Sequence, residues 1–442
     1  MHSDVIIALA TPPGAAALAF LRVSGEKCHA MAKKLARLEE IPIRRAIHCN
    51  LYDGNELVDD VVMTLWKNPE SYTGEDMVEI TCHGNMLIVD HILRVWCKEN
   101  ARLARPGEFT ERAFLNGKMD LTQAEAVMDL ISAKSERALR AAQRIQEGAL
   151  GKKISEQREA LLELLAHWEA HIDFPEEDIQ PETGKNFEEK INSLENEIKK
   201  LLQTADEGRK LRMGLRAALV GEPNVGKSTL LNALVGHDRA IVSETPGTTR
   251  DTVEESMILE GIEIRFIDTA GIRENPDAIE KLGIERTLRA IQGADLVIHL
   301  IDGSRGQSCT STKSCSCRTD PVVVVCITKA DLPQKYKGEG MRVSALKGTG
   351  LKELKQAIVK KLKLAESPQS HELAIINTRH ELLLREALSA LESAKKNVEK
   401  NTPPEITGAD LRHALRCIGE IVGEATNEDV LDRLFRMFCI GK

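Results

Sequence analysis

The chain has 442 residues, 42% of them hydrophobic, and a formal net charge of −8. That length accommodates about three domains with packed cores. An acidic exterior excludes a protein that grips nucleic acid over its whole surface, and only 14 aromatic residues exclude an extended base-stacking platform, so any RNA contact is local or shared with a partner.

Residues 3–23 read as two apolar strands around the turn Thr11-Pro12-Pro13-Gly14, with Arg22 near the end of the second. Short strands follow at 48–51, 61–66 and 76–82, the last after the turn Ser71-Tyr72-Thr73-Gly74. Apolar spacing at Met86, Val89, Ile92, Leu93 and Trp96 predicts a helix over 84–99. Together they predict an α+β domain over residues 1–117. From Asp120 the character changes: 122–148, 152–172 and 186–205 are long, charged and amphipathic. An acidic turn, 173–178, with the helix-stopping Pro175, separates the last two. A nucleotide-binding segment spans 211–366, and helical periodicity returns over 371–400 and 408–438. The expected architecture is an α/β domain inserted into one helical bundle made of residues 118–210 and 367–442. Two separate bundles would each be thin in core.

No apolar run approaches the roughly 20 residues needed to cross a bilayer. Met1 to Asp4 lack the basic flank of a signal peptide. The ten cysteines show no disulfide-like spacing. These features predict a cytoplasmic protein without membrane contact. Cys309, Cys315 and Cys317 cluster in a Ser/Thr-rich stretch, but without a C-x-x-C pair incidental loop thiols are favoured over zinc.

The decisive stretch is Gly221-Glu222-Pro223-Asn224-Val225-Gly226-Lys227-Ser228. An apolar strand, Leu215 to Val220, precedes it, and a helix from Thr229 to Val235 follows. Strand, G-x-x-x-x-G-K-S and helix in register make a phosphate-binding loop, whose N–H groups and helix terminus cradle phosphate. Lys227 would reach the β- and γ-phosphates and Ser228 would hold Mg²⁺. The remaining GTPase elements come in order. Thr249, in Gly247-Thr248-Thr249-Arg250-Asp251, would complete Mg²⁺ coordination. Asp268, in Asp268-Thr269-Ala270-Gly271, would hold the water shell of the metal, and the Gly271 N–H would sense the γ-phosphate. Asp331 would take both guanine N–H donors, the Lys329 stem would cover the base, and Ser344-Ala345-Leu346 would offer a backbone N–H to guanine O6. GTP is therefore expected over ATP, on a Ras-like α/β P-loop domain.

Three positions depart from the usual pattern. Thr328 stands where the base-reading motif normally opens with Asn, and a hydroxyl replaces only part of an amide's hydrogen bonding, which predicts weaker guanine binding. Residues 303–321 carry little helical pattern where a crossover helix would join parallel strands, so an abbreviated or disordered connection is expected. Ile272 cannot orient water as a Gln would, which leaves Glu280 as candidate base or water-positioner, or as an ordinary solvated glutamate.

At this point the chain resembles the MnmE (TrmE) family of tRNA-modifying GTPases. The resemblance is carried by 8–14 and 104–114, by the GTPase loops at 221–228 and 247–251, and by the terminal Phe438-Cys439-Ile440-Gly441-Lys442. It implies an N-terminal folate-binding domain that forms a homodimer, an FAD-dependent partner (MnmG, also GidA) in a heterotetramer, and tRNA as substrate. It further implies transfer of a one-carbon unit from a tetrahydrofolate derivative (5-formyl or 5,10-methylene) to build an aminomethyl-type group at C5 of the wobble uridine. Position by position, Arg22, Glu79, Lys118 and Lys442 match folate contacts. Asn224, with backbone carbonyls of Ser243, Thr245 and Thr248, matches the K⁺ site at which two GTPase domains meet. Glu280 matches the water-positioning residue and Cys439 the C-terminal cysteine. The charges suit an anionic folate tail and a pterin donor edge, although each could equally form a surface ion pair. Two rivals are a ribosome-assembly GTPase without one-carbon chemistry, and a folate-dependent methyltransferase that needs no partner. The first would bring a basic RNA-binding appendage, which this chain lacks.

Overall fold

The computed structural model describes residues 4–173, 185–236, 255–267, 293–305, 321–364, 375–424 and 428–442. Two compact units emerge: residues 1–128, 145–195 and 383–442 form one, and 129–144 with 196–382 form the other.

The first unit is built on a sheet of β1 (Val5–Leu9), β2 (Leu18–Ser24), β3 (Ile47–Asp53), β4 (Glu56–Trp66), β5 (Met77–His83) and β6 (Ala101–Leu103), in the order β3-β4-β5-β2-β1-β6. All neighbours are antiparallel except β1 and β6. Strand period assigns the faces. Ala19, Leu21 and Val23 on β2 and Val78, Ile80 and Cys82 on β5 point into one core with α1 (Cys28–Ala36) and α2 (Met86–Lys98), which contributes Val89, Ile92 and the fully buried Trp96. Arg22 and Glu79 fall on the other face. There Ile6, Ala8, Ala104 and Phe109 form a smaller cluster with Tyr72, and α3 (Glu108–Leu115) covers it.

The single amphipathic run expected over 122–148 is two helices, α4 (Leu121–Ser132) and α5 (Glu136–Gln146). Ser135 breaks it: its hydroxyl accepts the Ala138 N–H at 3.2 Å, an N-cap arrangement that restarts the helix. Next come α6 (Ala149–Asp173), α7 (Lys185–Leu202) and α8 (Ala205–Met213). The acidic turn expected at 173–178 lies outside the described residues apart from the end of α6.

The second unit carries β7 (Leu215–Val220), α9 (Lys227–Val235), β8 (Glu255–Leu259), β9 (Ile262–Ile267), β10 (Leu296–Asp302), β11 (Val322–Thr328), β12 (Met341–Arg342) and α10 (Leu351–Leu362). Sheet order is β12-β11-β10-β7-β9-β8, parallel except for β8. Every residue of β10 is buried, as a central parallel strand requires. β7 leads out between β10 and β9, where the strand order reverses, and open α/β sheets bind ligands at such switch points.

The chain closes with α11 (Thr378–Glu399), α12 (Pro404–Val422) and α13 (Glu428–Phe435). The run expected over 408–438 is divided because Gly423, at φ 94°, caps α12 in the left-handed conformation that a Cβ disfavours. The Trp168 indole on α6 donates to Pro404 O on α12 at 2.8 Å. Among the described residues no helix is long and apolar enough to cross a membrane.

Candidate functional site

The phosphate loop follows β7 directly. Gly221 leaves room for the Leu300 carbonyl, which a Cβ there would approach to 2.7 Å. Asn224 and Gly226 adopt positive φ of 62° and 102°, the turns that aim successive N–H groups into one concavity. Val225 is buried, while Asn224, Ser228 and Thr229 are exposed at the loop and first helical turn. Lys227 reaches back across the loop, its Nζ 2.8 Å from Gly221 O and 3.1 Å from Glu222 O. Burial holds this ammonium below the ordinary lysine value. A partly desolvated cation framed by carbonyls gains most from an added phosphate charge.

The residues expected to read the base converge from β10, β11 and the loop after β12. Ser344 Oγ donates to Asp331 Oδ1 at 2.6 Å, and this bond is the main reason the Asp331 carboxyl lies below its ordinary value. Lys329, at φ 57°, stretches to Asp302 Oδ2 at 2.7 Å. Burial by itself pushes the Asp302 carboxyl up, but bonds from Lys329 and Ser304 hold it below the usual range. Thr328 is buried and its hydroxyl lies 2.7 Å from Val225 O and 3.2 Å from Ile301 O. Its one proton goes to the nearer carbonyl and ties β11 to the phosphate loop. The structure thus gives this threonine a specific task. Ser243, Thr245, Thr248, Thr249, Asp268, Thr269, Ala270, Gly271 and Glu280 lie outside the described residues, as does most of 303–321.

In the first unit, the antiparallel register sets Arg22 directly opposite Glu79. Arg22 Nε lies 3.4 Å from Glu79 Oε1, and Trp66 Nε1 donates to Glu79 Oε2 at 2.9 Å. The guanidinium carbon sits 5.0 Å from the Tyr72 ring centroid and 5.6 Å from that of Phe20. Arg22 Nη1 is buried with no hydrogen-bond partner. Lys442 joins this group: burial, and then the charge of Arg22, lower its ammonium below the lysine norm. Its position is fixed by the tail. Gly441, at φ 91°, packs on Leu9 and Ala10; Gly107 N–H donates to Cys439 O at 3.4 Å and Phe109 N–H to Lys442 O at 3.2 Å. Cys439 is an exposed free thiol. Lys118 makes its contacts on the loop before β5. Its Nζ donates to Pro69 O at 2.9 Å and its stem rests beside Gly74, on the loop that also carries Tyr72.

A family model described as the MnmE helical domain matches residues 121–439, and one described as the GTP-binding protein TrmE N-terminus matches residues 5–118. The chain is 45% identical over 451 residues to the tRNA modification GTPase MnmE of Aquifex aeolicus, covering 99% of this chain and 100% of that protein. It is 44% identical over 445 residues to the enzyme of the same name from Akkermansia muciniphila, covering 99% and 98%. The chain belongs to the MnmE family of tRNA modification GTPases. It is an enzyme of GTP hydrolysis, as its phosphate loop anticipates.

Within this family frame, several side chains that the sequence did not single out help to build the sites. Trp66 and Tyr72 wall the Arg22–Glu79 pair, and Asp302 anchors Lys329. The stretch 104–114 turns out to be a buried charge network. Arg112, fully buried, donates to Asp4 Oδ1 at 2.9 Å, Glu75 Oε2 at 3.0 Å and Glu108 Oε1 at 3.1 Å. Burial alone would raise the Glu108 carboxyl, but Arg102, the Arg105 N–H and Arg112 hold it at about 2.

Thr328→Val is expected to strip the buried Val225 carbonyl of its donor, costing about 1–3 kcal/mol and loosening the phosphate loop. GTP titration and thermal melting check this, with Thr328→Ser retaining both properties. Wild-type values for both in the valine variant would mean that the tie is idle.

Proposed function

We propose that this enzyme couples GTP hydrolysis to installation of an aminomethyl or carboxymethylaminomethyl group at C5 of the wobble uridine, using a tetrahydrofolate one-carbon donor and an FAD-dependent partner, MnmG. The observation that carries the folate assignment is the buried, unpartnered Arg22 Nη1 beside Lys442. Two neighbouring cations, one with an unused donor, suit the anionic tail of a folate. Glu79, across the strand, offers acceptor capacity to the donor edge of a pterin. Lys118 donates to Pro69 O and would offer its remaining N–H donors to the folate. Cys439 is an exposed thiol on the same tail as Lys442, and its role in catalysis is part of the proposal.

In the GTPase unit, Asn224, Val225, Gly226, Lys227, Ser228 and Thr229 would bind the phosphates, and Lys329, Asp331, Ser344 and Ala345 the guanine. Mg²⁺ would be held by Ser228 with Thr249, and K⁺ by Asn224 with the carbonyls of Ser243, Thr245 and Thr248. A cation there offsets charge that develops on the transferred phosphoryl group. The exposed Asn224 side chain, on a left-handed turn, is free to take such a ligand. Glu280 would position the attacking water. We further infer a cytoplasmic homodimer that assembles with MnmG into a heterotetramer.

Reconstitution tests the reading: the chain, the flavoprotein, substrate tRNA, GTP and methylene-labelled tetrahydrofolate, in K⁺ or in Na⁺ buffer. The expected result is label at C5 of the wobble uridine and GTP hydrolysis at least ~10-fold faster in K⁺, the scale of an electrostatic contribution of about 1.4 kcal/mol. Label absent under all conditions would overturn the one-carbon role and favour the assembly-factor alternative. Label appearing as a methyl group without the partner would favour the methyltransferase. Equal hydrolysis in both salts would remove the K⁺ site.

A further inference from the structure

Three side chains of different chemistry meet between α11 and α12. His413 and Cys417 lie one turn apart on α12, so both face the same side of the helix. Glu386 reaches them from α11. Cys417 Sγ is 3.8 Å from Glu386 Oε2 and 3.9 Å from His413 Nε2, and the three ligand atoms all lie within 4.8 Å of one another. Metal–sulfur and metal–nitrogen bonds of ~2.3 and ~2.0 Å at a tetrahedral centre put ligand atoms roughly 3.5 Å apart. The two contacts to sulfur need only a few tenths of an ångström of contraction, and the Glu386–His413 pair, within 4.8 Å, closes by a small movement of two exposed side chains.

We propose that Glu386, His413 and Cys417 bind a divalent transition ion of the zinc type, with a fourth position left to water. Carboxylate, imidazole and thiolate together suit zinc and its neighbours better than magnesium or calcium. Burial shapes the site: Cys417 is 2% exposed and forms the floor, whereas Glu386 and His413 are an exposed rim through which an ion enters. Without an ion the thiol is a poor nucleophile. Burial, with the charges of Glu386 and Glu420, pushes it up to about 11. The same two carboxylates that disfavour a bare thiolate favour a cation beside it. On binding, the Cys417 S–H bond breaks, sulfur donates its pair to the metal, and the proton leaves to solvent.

One contact must change. Arg416 Nη2 lies 3.1 Å from His413 Nδ1, which makes that nitrogen the acceptor and leaves the proton on Nε2. Metal on Nε2 requires the opposite tautomer. Arg416 is 61% exposed and already 3.8 Å from Glu420 Oε1, so a short swing toward that carboxylate frees the imidazole.

Cobalt(II) is the probe, added to the full chain after chelator treatment, with zinc as competitor. The expected result is one thiolate-to-cobalt absorption band per chain in the near ultraviolet, erased by zinc. Cys417→Ser should abolish the band. His413→Ala, an exposed position whose replacement does not threaten folding, should weaken binding at least ~10-fold, the loss that even an outer-shell partner of a metal ligand can command. Cys439→Ser should leave the band in place. No band in the wild-type chain, a band that survives in Cys417→Ser, or full affinity in His413→Ala would each overturn the proposal.

Discussion

Asp331→Asn is expected to weaken GTP binding by at least ~100-fold and to raise the affinity for XTP. Guanine presents two donors on one edge, N1–H and the N2 amino group. A carboxylate matches both with acceptors, in charge-assisted bonds of roughly 1.5–3 kcal/mol each. Asp331 is a carboxylate at neutral pH, and the Ser344 hydroxyl, 2.6 Å from Oδ1, favours the charged form further. In the asparagine variant the same hydroxyl keeps donating, and so retains the amide oxygen at the Oδ1 position. The amide nitrogen is then turned toward the base, where it meets the guanine amino group donor to donor. Xanthine carries a carbonyl at that place and accepts. Fluorescent-nucleotide titrations with GTP, XTP and ATP check the result. An unchanged GTP-to-XTP ratio would remove Asp331 from the base site, and a gain for ATP would point to a pocket that reads the base by another edge.

What could be read from the sequence follows how local each feature is. Strand β7, the phosphate loop and α9 were legible together because glycine spacing, Lys227 and the apolar run all lie within one short stretch. Thr328 was legible as a departure, but its partner Val225 is 103 residues away, and only the parallel sheet brings the two together. Arg22 and Glu79 were named by resemblance; their cross-strand register comes from pairing between strands distant in sequence. Charged residues are a harder problem still. Glu108 and Arg112 look like helix-surface residues at i, i+4, yet both are buried, because Asp4 and Glu75 arrive from elsewhere to complete the network. The break at Ser135 was hidden for a related reason: Lys134 and Ser135 suit the polar face of a continuous helix as well as a cap. His413 and Cys417 stand at a visible helical spacing, but the carboxylate that gives them meaning is supplied by another helix.

Arg22→Ala is expected to reduce binding of 5-formyltetrahydrofolate by ~100-fold or more while leaving GTP affinity unchanged. The guanidinium offers a buried Nη1 donor with no partner, in a wall made by Tyr72 and Phe20. A buried charge with an unused donor is costly to maintain, and a bound carboxylate relieves it through bonds that water cannot supply as well. Alanine removes the donor and also the cation that, with Lys442, sets the sign of the pocket. Arg22→Lys separates these contributions. It keeps the charge but loses the planar fork and the stacking on Tyr72, so its affinity should fall between those of wild type and alanine. Lys442→Ala should lose affinity as well, without disturbing Arg22 and Glu79, whose pairing is set by strand register. Fold is controlled by thermal melting, since alanine leaves Glu79 with Trp66 Nε1 at 2.9 Å as a remaining partner and should cost only modest stability. Calorimetric titration of the folate against all three variants gives the answer. Equal affinity in wild type and Arg22→Ala would move the folate away from this pocket, whereas loss in Arg22→Ala with full retention in Arg22→Lys would make charge alone the determinant and remove the case for a directed contact from Nη1.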